Sequence, residues 1–437
     1  MASKEELKQQ ILALVEEYYR SVHERPAFVP GKSRITYSGR VFDDREMTQL
    51  VSSSLDFWLT AGPYARKLEA GLALFFGSDD FILVNSGSSA NLLMVATLCA
   101  KGLEGPLPPL RPGDEILTPA VTFPTTLTPI LHNGLVPLFV DCEVGTYNVD
   151  PALVEAALGL RTRALMIPHT LGNPCDMAAI VDIAKRNDLW LLEDGCDALG
   201  ATFDGRLVGT FGALSSVSFY PAHQMTMGEG GGIAVNEPAV KKTLVSLRDW
   251  GRDCWCEPGK SNTCGKRFAW QSGDLPFGYD HKYIYSNLGY NLKITDMQAA
   301  IGLAQLEKLP SFVERRRRNF NRMLEGLRPL EERLVLPVVH PLANPSPFGF
   351  PMTVRQQGLR AELIRHLEAA RIETRLVFGG NILRQPGFQG IPCRVHGTLA
   401  NSDRIMNDTL FVGVYPGITD EMVDYMVERV HAFFKDR

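Results

Sequence analysis

Four of the eight cysteines in this chain are spaced as metal ligands. Cys196, Cys254, Cys256 and Cys264 follow the pattern C-x57-C-x-C-x7-C, and the last three fall within eleven residues of a Gly-, Pro- and Asn-containing loop, 251–265. Four thiolates suit Zn²⁺ and a [2Fe–2S] cluster about equally, and spacing alone does not choose between them. A third interpretation is that these are unrelated loop cysteines. The other cysteines are predicted to be structural: Cys99, Cys142, Cys175 and Cys393.

A second group of residues predicts an anion-binding turn. The segment Asn85–Asn91 reads Asn-Ser-Gly-Ser-Ser-Ala-Asn, follows an apolar run and opens a helix-like stretch. The start of a helix presents unpaired N–H groups and the positive end of the helix dipole to an anion. Gly87, Ser88 and Ser89 are therefore candidate anion-binding residues. The structural alternative is a simple helix N-cap.

A carboxylate follows another apolar run. Glu193 and Asp194 come directly after Leu189–Leu192, which reads as a buried strand. In α/β folds, ligands collect at the carboxyl ends of parallel strands, where Asp194 would lie. Acidic residues at strand ends are also common in plain turns, so the residue type alone leaves both interpretations open.

Taken together, these segments resemble the DegT/DnrJ/EryC1/StrS family of sugar aminotransferases, which have fold type I and use pyridoxal phosphate. The anion turn matches the family's Ser-Gly-Thr-x-Ala pattern, and Glu193–Gly200 matches Glu-Asp-Ala-Ala-Gln-Ala-x-Gly. The segment 218–231 resembles the Schiff-base region, but His223 stands where the family has the lysine that binds the cofactor aldehyde. Imidazole cannot form that imine. We therefore expect bound pyridoxamine 5′-phosphate and proton transfer by His223, without ordinary aminotransferase turnover.

The resemblance also implies the remaining cofactor contacts. Asp194 would pair with the protonated pyridine nitrogen, and Phe123 would stack on the pyridine ring. Ser218 matches the serine that binds the cofactor phosphate, together with the turn of Gly87, Ser88 and Ser89. Asp197 stands where the family has a glutamine near the cofactor hydroxyl. Asn291 matches an asparagine that reaches across a homodimer interface to the phosphate, which implies shared active sites.

Histidine in place of lysine, together with the four cysteines, resembles a branch of this family, the CDP-4-dehydro-6-deoxyglucose 3-dehydrases of 3,6-dideoxyhexose (O-antigen lipopolysaccharide) biosynthesis. Cys196 lies two residues beyond Asp194. A redox cluster there would lie beside the cofactor, which favours [2Fe–2S] over structural zinc. The resemblance implies a ketimine between pyridoxamine phosphate and the C4 ketone of a CDP-sugar, His223 as the base, loss of the C3 hydroxyl, and electrons supplied through the cluster. It also implies an NADH-dependent flavin iron–sulfur reductase as partner.

Two other functions stay open at this point. One is a cluster-free 3-dehydrase of the kind that acts on GDP-4-keto-6-deoxymannose, which also has histidine for lysine but recycles its cofactor with glutamate. The other is a catalytically inactive relative that binds a sugar nucleotide or serves as a zinc-stabilised scaffold.

The elements that must position these residues follow an alternating pattern. Residues 4–22 have apolar side chains at helical spacing and predict an amphipathic N-terminal helix. Short apolar runs separated by helix-like stretches then predict strands at 81–84, 115–117, 138–140, 164–167 and 189–192. That pattern indicates an α/β fold with parallel strands. By resemblance to aspartate aminotransferase, we expect a large domain, 1–334, with a mostly parallel seven-stranded sheet, and a small C-terminal α+β domain, 335–437.

Composition limits the partners. The 437 residues carry 45 basic and 49 acidic side chains, well mixed, and a net charge of −4. This balance predicts no binding of nucleic acid or of an anionic membrane surface. No apolar run approaches the length of a membrane span, and the start has no signal-peptide pattern, so we expect a cytoplasmic enzyme.

Overall fold

The computed structural model describes residues 2–23, 26–256 and 259–435. Its strands are β1 (Asp80–Val84), β2 (Glu115–Pro119), β3 (Val136–Val140), β4 (Thr162–Pro168), β5 (Trp190–Asp194), β6 (Thr202–Phe203), β7 (Arg206–Leu207), β8 (Leu214–Ser218), β9 (Gly231–Val235), β10 (Leu334–Val335), β11 (Ala343–Asn344), β12 (Gly349–Val354), β13 (Thr374–Arg375), β14 (Arg394–Val395) and β15 (Thr409–Gly413).

The α-helices are α1 (Lys4–Val22), α2 (Asp44–Asp56), α3 (Pro63–Phe76), α4 (Gly87–Leu98), α5 (Pro124–His132), α6 (Pro151–Ala157), α7 (Met177–Arg186), α8 (Lys241–Arg248), α9 (Asp296–Leu327), α10 (Arg360–Ala369), α11 (Ala400–Asp408) and α12 (Asp420–Phe434). Helix α1 covers the predicted N-terminal helix. It begins with a capping box between Ser3 and Glu6, and none of its residues is buried.

The large sheet has the order β1-β9-β8-β5-β4-β2-β3-β14. All neighbouring strands from β8 to β14 are parallel, and β9 runs antiparallel to its neighbours β1 and β8. The predicted α/β fold with a mostly parallel sheet is confirmed. The sheet has eight strands where the sequence predicted seven, because β14, from the C-terminal region, pairs with β3 at the far edge.

Helices cover both faces of this sheet, so its central strands are enclosed on both sides. Every residue of β2, β5, β8 and β9 is buried. Parallel strands need long crossover connections, and α5, α6 and α7 supply them. The carboxyl ends of β5 and β8 therefore lie at the same end of the sheet, and the turn after β1 lies there too. Asp194, Ser218 and the Asn85–Asn91 turn are brought together at this end.

The C-terminal region builds a second, antiparallel sheet with the order β10-β12-β15-β13. Its core includes Phe320, Met323 and Leu327 from the last third of α9, while Leu309 and Val313, nearer the middle of the helix, pack in the core of the large sheet. Helix α9 therefore joins the two parts. The predicted small domain, 335–437, also contains β14, which pairs with β3 of the large sheet.

A long loop, residues 249–291, which we call the insertion, lies between α8 and α9 and has its two ends side by side. Asp249 and Asn291 form a β-bridge, and Gly251 is packed so tightly that an added Cβ would lie 1.9 Å from the backbone oxygen of Asn287. Within the described residues, no helix has both the length and the apolar content needed to cross a membrane.

Candidate active site

Asp194 is a buried carboxylate that accepts hydrogen bonds from several elements. Its Oδ2 accepts from Asn91 Nδ2 at 2.8 Å and from Thr126 Oγ1 at 2.6 Å. Its Oδ1 accepts from Ser216 Oγ and from the backbone N–H of Cys196, both at 3.2 Å. These donors lie on α4, α5, β8 and the loop after β5. Together they offset the cost of removing a carboxylate from water.

The predicted anion turn forms the first turn of α4. Ser86 is the N-cap, and its Oγ accepts from the N–H of Ser89 at 3.0 Å. Gly87 packs against the end of β8, because a Cβ at this position would lie 2.6 Å from Ser218 Cβ. Ser88 donates a hydrogen bond to Thr125 Oγ1 at 3.0 Å. The structure thus brings Gly87, Ser88, Ser89 and Ser218 together at the N-terminus of a helix of 12 residues, an arrangement that favours an anion.

Phe123 presents an uncovered aromatic ring beside this turn. It is the N-cap residue of α5 and is 51% exposed. One edge contacts Phe378, at 6.2 Å between ring centroids. Thr126, three residues further along, binds Asp194, so the ring lies on the same side of the sheet as that carboxylate. An exposed ring next to a buried carboxylate offers a stacking surface for a flat heteroaromatic ligand.

His223 lies in the loop after β8, close to Asp197. The distance from its Nδ1 to Asp197 Oδ1 is 3.6 Å, just beyond a hydrogen bond. This buried Nδ1 has no hydrogen-bond partner among the residues that the structure describes. Asp197 Oδ2 accepts from the backbone N–H of Leu171 at 3.2 Å. The imidazole ring packs against Phe348, at 5.3 Å between centroids.

Arg316 was not among the predicted site residues. Its guanidinium is fully buried and donates to the backbone oxygens of Ala222 and His223, at 3.3 and 2.8 Å, and to those of Pro347 and Phe348, at 3.1 and 3.3 Å. It belongs to a run of four arginines, which suggests a solvated helix face. The helical spacing of the buried residues Phe312, Arg316 and Phe320 is the signal that could have revealed it.

The charges around His223 favour a neutral imidazole. Burial, and then repulsion by the guanidinium of Arg316, lower the pKa of His223 to about 4, although Asp194 acts in the opposite direction. Burial, and then repulsion by Asp194, raise the pKa of Asp197 to about 7. At neutral pH the imidazole is therefore unprotonated and able to accept a proton.

Asn291 lies at the base of the insertion, with its side chain exposed. Its Oδ1 accepts from Lys293 Nζ at 2.8 Å, and that ammonium lies 3.4 Å from the ring centroid of Trp250. The neighbouring Leu292 accepts a hydrogen bond from the N–H of Asn85, the first residue of the anion turn, at 2.9 Å. The Asn291 side chain thus points outward from the rim of the site.

The four predicted cysteine ligands do not come together within the described residues of this chain. Within the described ranges, no three His, Cys, Asp or Glu side chains are placed to hold a metal ion. Cys196 packs against the anion turn, since a Cβ on Gly87 would lie 2.9 Å from its Sγ. Cys254 and Cys256 instead line a cleft of about 1000 Å³ beside β1, between α3 and α8, and Cys264 lies further along their loop.

The physical reason for this separation is the sheet. Cys196 follows β5, and β8 and β9 lie between β5 and β1, which amounts to three interstrand spacings or roughly 14 Å. Cys256 Sγ lies 3.0 Å from Thr263 Oγ1, and Cys264 Sγ accepts from the N–H of Lys266 at 3.4 Å, so these thiols are held within their own loop. Spacing along a sequence does not show which strands a fold inserts between two ligands.

Comparison with known proteins gives a consistent picture. Residues 42–431 match the DegT/DnrJ/EryC1/StrS aminotransferase family. The chain is 49% identical to lipopolysaccharide biosynthesis protein RfbH of Salmonella typhimurium, over 98% of each chain. It is 51% identical to dTDP-4-dehydro-2,6-dideoxy-D-glucose 3-dehydratase of Saccharopolyspora spinosa, over 98% of this chain and 92% of that one.

A solved structure shares the fold. A mutant of GDP-4-keto-6-deoxymannose-3-dehydratase with bound GDP-perosamine superposes with a TM-score of 0.81 at 30% identity and covers 91% of this chain and 100% of its own. The Escherichia coli enzyme of the same name with bound hydrated PLP gives the same TM-score over 90% of this chain and 98% of its own.

We predict that the His223 imidazole titrates near pH 4, not near the usual value of about 6.5. A lowered pKa means that the ring is neutral at neutral pH and gains its proton only as pH falls through about 4. Arg316→Gln should raise this pKa because it removes a repelling charge. Arg317→Gln is the matched control, since Arg317 binds the backbone oxygens of Pro345 and Gly200 instead. NMR titration of labelled histidine measures the His223 midpoint in both variants. An unchanged midpoint in Arg316→Gln would contradict the role of Arg316 in lowering this pKa.

We also predict that Gly87→Ala destabilises the protein by about 1–3 kcal/mol, because the new methyl group overlaps the space of Ser218 and Cys196. Gly387→Ala is the control, because a Cβ there has no atom of the described chain within 4 Å. Urea unfolding of both variants measures the difference. Equal free energies of unfolding for the two variants would show that the turn is not packed as described.

Proposed function

Because the chain belongs to the DegT/DnrJ/EryC1/StrS aminotransferase family, we propose that it is a sugar-nucleotide 3-dehydratase of deoxysugar biosynthesis that uses pyridoxamine 5′-phosphate and His223 as its base. The proposed substrate is CDP-4-dehydro-6-deoxy-D-glucose, in the synthesis of O-antigen lipopolysaccharide. One relative of 49% identity is named for lipopolysaccharide biosynthesis. Another, of 51% identity, is named for 3-dehydration of a dTDP-sugar, which makes a dTDP-sugar the second candidate.

The observation that carries this proposal is the imidazole at position 223. A lysine at this position could form an imine with the cofactor and return it to the aldehyde form. The side chain of His223 has no amine, is enclosed next to Asp197, and is held neutral by burial and by Arg316. It can accept a proton but cannot form a covalent bond to the cofactor aldehyde.

The residues at the site fit pyridoxamine phosphate. A Cβ at position 87 would occupy the space beside Ser218. Because this residue is glycine, that space at the N-terminus of α4 is left for a phosphate. The exposed face of Phe123 accepts a flat ring, and the buried carboxylate of Asp194 suits a protonated pyridine nitrogen. The buried Nδ1 of His223 has no hydrogen-bond partner among the described residues, so it can bind a proton or a ligand atom. We propose these residues, with Ser88, Ser89 and Asp197, as the cofactor contacts.

When bound, pyridoxamine phosphate supplies an amine for the C4 ketone of the sugar and a ring that accepts an electron pair. Asp194 would hold the proton on the ring nitrogen of the cofactor, which would keep the ring electron-poor. His223 would accept the proton from the C4′ carbon, and protonated His223 and Tyr220 are the two candidates, by sequence, for the acid that protonates the departing C3 hydroxyl. Burial around His223 excludes water that would otherwise compete for this proton.

The complete proposal has three further parts that stand on the family resemblance. Reduction of the dehydrated sugar to a 3-deoxy product requires two electrons, for which we propose a [2Fe–2S] cluster with ligands Cys196, Cys254, Cys256 and Cys264. An NADH-dependent flavin iron–sulfur reductase would be the electron donor. The enzyme would be a homodimer in which Asn291 binds the cofactor phosphate of the partner subunit. Within the described residues of one chain, the thiols do not fit a single cluster.

The cysteines separate this proposal from its alternatives. A cluster-free 3-dehydratase that recycles its cofactor with glutamate has no use for three cysteines in the insertion. An inactive sugar-nucleotide sensor has no use for the buried, fully hydrogen-bonded Asp194. Both alternatives would still fit the fold.

We predict that His223→Asn keeps pyridoxamine phosphate but loses exchange of the C4′ proton by roughly 10²- to 10⁴-fold, because the general base is gone. Exchange is measured by NMR in deuterated buffer, and cofactor content by absorbance after release. His340→Gln, at a histidine that packs on Phe203, is the control and should exchange as the wild type does. Wild-type exchange in His223→Asn would remove His223 from the base role.

We predict that anaerobically purified protein has a broad visible absorption band that bleaches with dithionite. Cys256→Ala should lose this band, while Cys393→Ala, outside the proposed ligand set, should keep it. Colourless wild-type protein that also fails to take up iron and sulfide would exclude the cluster. It would leave the cluster-free dehydratase as the favoured function.

A further inference from the structure

Helix α1 has two apolar stripes, and one of them is exposed. The first stripe is half-buried where α1 packs on α2, and Lys8 on this side forms an ion pair of 2.9 Å with Asp56 of α2. The second stripe lies on the neighbouring face of the helix, and its side chains are large and apolar. Its members and their exposed fractions are Leu7 50%, Ile11 39%, Leu14 64%, Tyr18 55% and Val22 53%.

The exposed stripe has the spacing of a helix that pairs with another helix. Residues 7, 11, 14 and 18 are separated by four, three and four positions, which is the a/d spacing of a coiled-coil seam. Single apolar side chains on a surface are ordinary, but a continuous row of them is typical of a surface that another protein covers. The family match begins at residue 42, so α1 lies outside it. The stripe therefore indicates association and not cofactor binding.

The charges of α1 do not suit a lipid surface. The helix carries three basic and four acidic side chains, and its net charge is therefore −1. Helices that lie on membranes are rich in Lys and Arg on the polar face, which anionic lipids attract. A protein surface is the better partner for this stripe.

The stripe is complementary to itself in an antiparallel pair. In such a pair, each a position of one helix faces a d position of the other. With Ile11 and Tyr18 at a positions and Leu7 and Leu14 at d positions, Ile11 packs on Leu14 of the second copy. In the same register Leu7 packs on Tyr18 of the second copy. The two-fold axis then passes between positions 12 and 13, and every layer from Leu7 to Tyr18 is apolar.

Charge favours the antiparallel orientation over the parallel one. Lys4 stands one a position before the stripe, so a parallel pair would place two copies of Lys4 against each other. Like charges that face each other across an interface are unfavourable. The antiparallel pair instead places Lys4 opposite Ser21, and it places Gln10 beside Glu17, where an amide can donate to a carboxylate. It also sets the two helix dipoles in opposite directions.

We propose that α1 is an interaction surface for a second copy of this chain, in which two α1 helices pair antiparallel through Leu7, Ile11, Leu14 and Tyr18. The inference goes beyond the proposed function and does not rest on it, because it requires no cofactor, no cluster and no contact of Asn291. The seam spans about three helical turns. Because such a contact is small, the association should be reversible and should depend on protein concentration.

Photo-crosslinking of the purified full-length protein tests the arrangement. Benzoylphenylalanine in place of Tyr18 should give a covalent dimer on irradiation, and mass spectrometry should find the label joined to the segment around Leu7 of the second copy. Benzoylphenylalanine in place of Ala13 is the control. Ala13 is exposed on the opposite face of α1, so this label should give no covalent dimer.

Sedimentation equilibrium over a dilution series measures the strength of the contact. Leu14→Glu places a charge at the centre of the seam and should weaken one step of association by roughly 10-fold or more, because an apolar contact is lost and a carboxylate is buried. Ala13→Glu adds the same charge on the opposite face and should stay within about twofold of the wild type. Circular dichroism checks folding, and Leu14→Gln replaces Leu14→Glu if the latter is unfolded.

Three outcomes would overturn the inference. A label on position 18 that joins the segment around Tyr18 of the second copy would show a parallel pair. The absence of any covalent dimer would show that a second copy does not cover the stripe, and an unchanged dissociation constant in Leu14→Glu would show that the stripe does not hold the copies together. None of these results bears on proton exchange by His223, so the proposed function would stand or fail separately.

Discussion

The candidate site depends on one buried carboxylate. An ionised group without partners in a protein interior costs several kcal/mol, so Asp194 must be surrounded by donors. The donors are Asn91, Thr126, Ser216 and the backbone of Cys196, and each belongs to an element that carries a predicted site residue. Helix α4 carries the anion turn, α5 begins after Phe123, and β8 leads to Ser218 and His223. The hydrogen bonds to Asp194 therefore fix the relative positions of the elements that carry the candidate site.

A second buried charge, on Arg316, positions the loop of His223. The hydrogen bonds that Arg316 donates go to four backbone oxygens, on the His223 loop and on the segment before β12. Hydrogen bonds to carbonyl groups hold a guanidinium in place without neutralising its charge. Burial lowers the pKa of His223, and the remaining charge of Arg316 lowers it in the same direction. Arg316 thus orients the His223 loop and adds to the effect of burial on the His223 pKa.

Much of this arrangement could be predicted from the sequence. The apolar runs located β1 to β5 because buried parallel strands read as continuous apolar segments. The turn at Gly87, the carboxylate at Asp194 and the loop of His223 were found because each follows such a strand. Arg316 was missed because four consecutive arginines indicate a solvated surface. Strand β14 was missed because two residues give no periodic signal, and the separation of the cysteines was missed because spacing does not show the strands between ligands.

Histidine stands at the position of the family's lysine, and this changes what the other residues of the candidate site have to do. In the proposed function no imine holds the cofactor, so its retention would depend on the phosphate turn, on stacking and on Asp194. It also limits the negative charge that can lie beside the His223 imidazole. Asp197 replaces a neutral glutamine of the family pattern, and a second full negative charge there would favour protonation of His223. Burial and Asp194 raise the pKa of Asp197 to about 7, so at neutral pH this residue is protonated about half of the time. In its protonated form Asp197 is neutral, as the glutamine is, and does not favour protonation of His223.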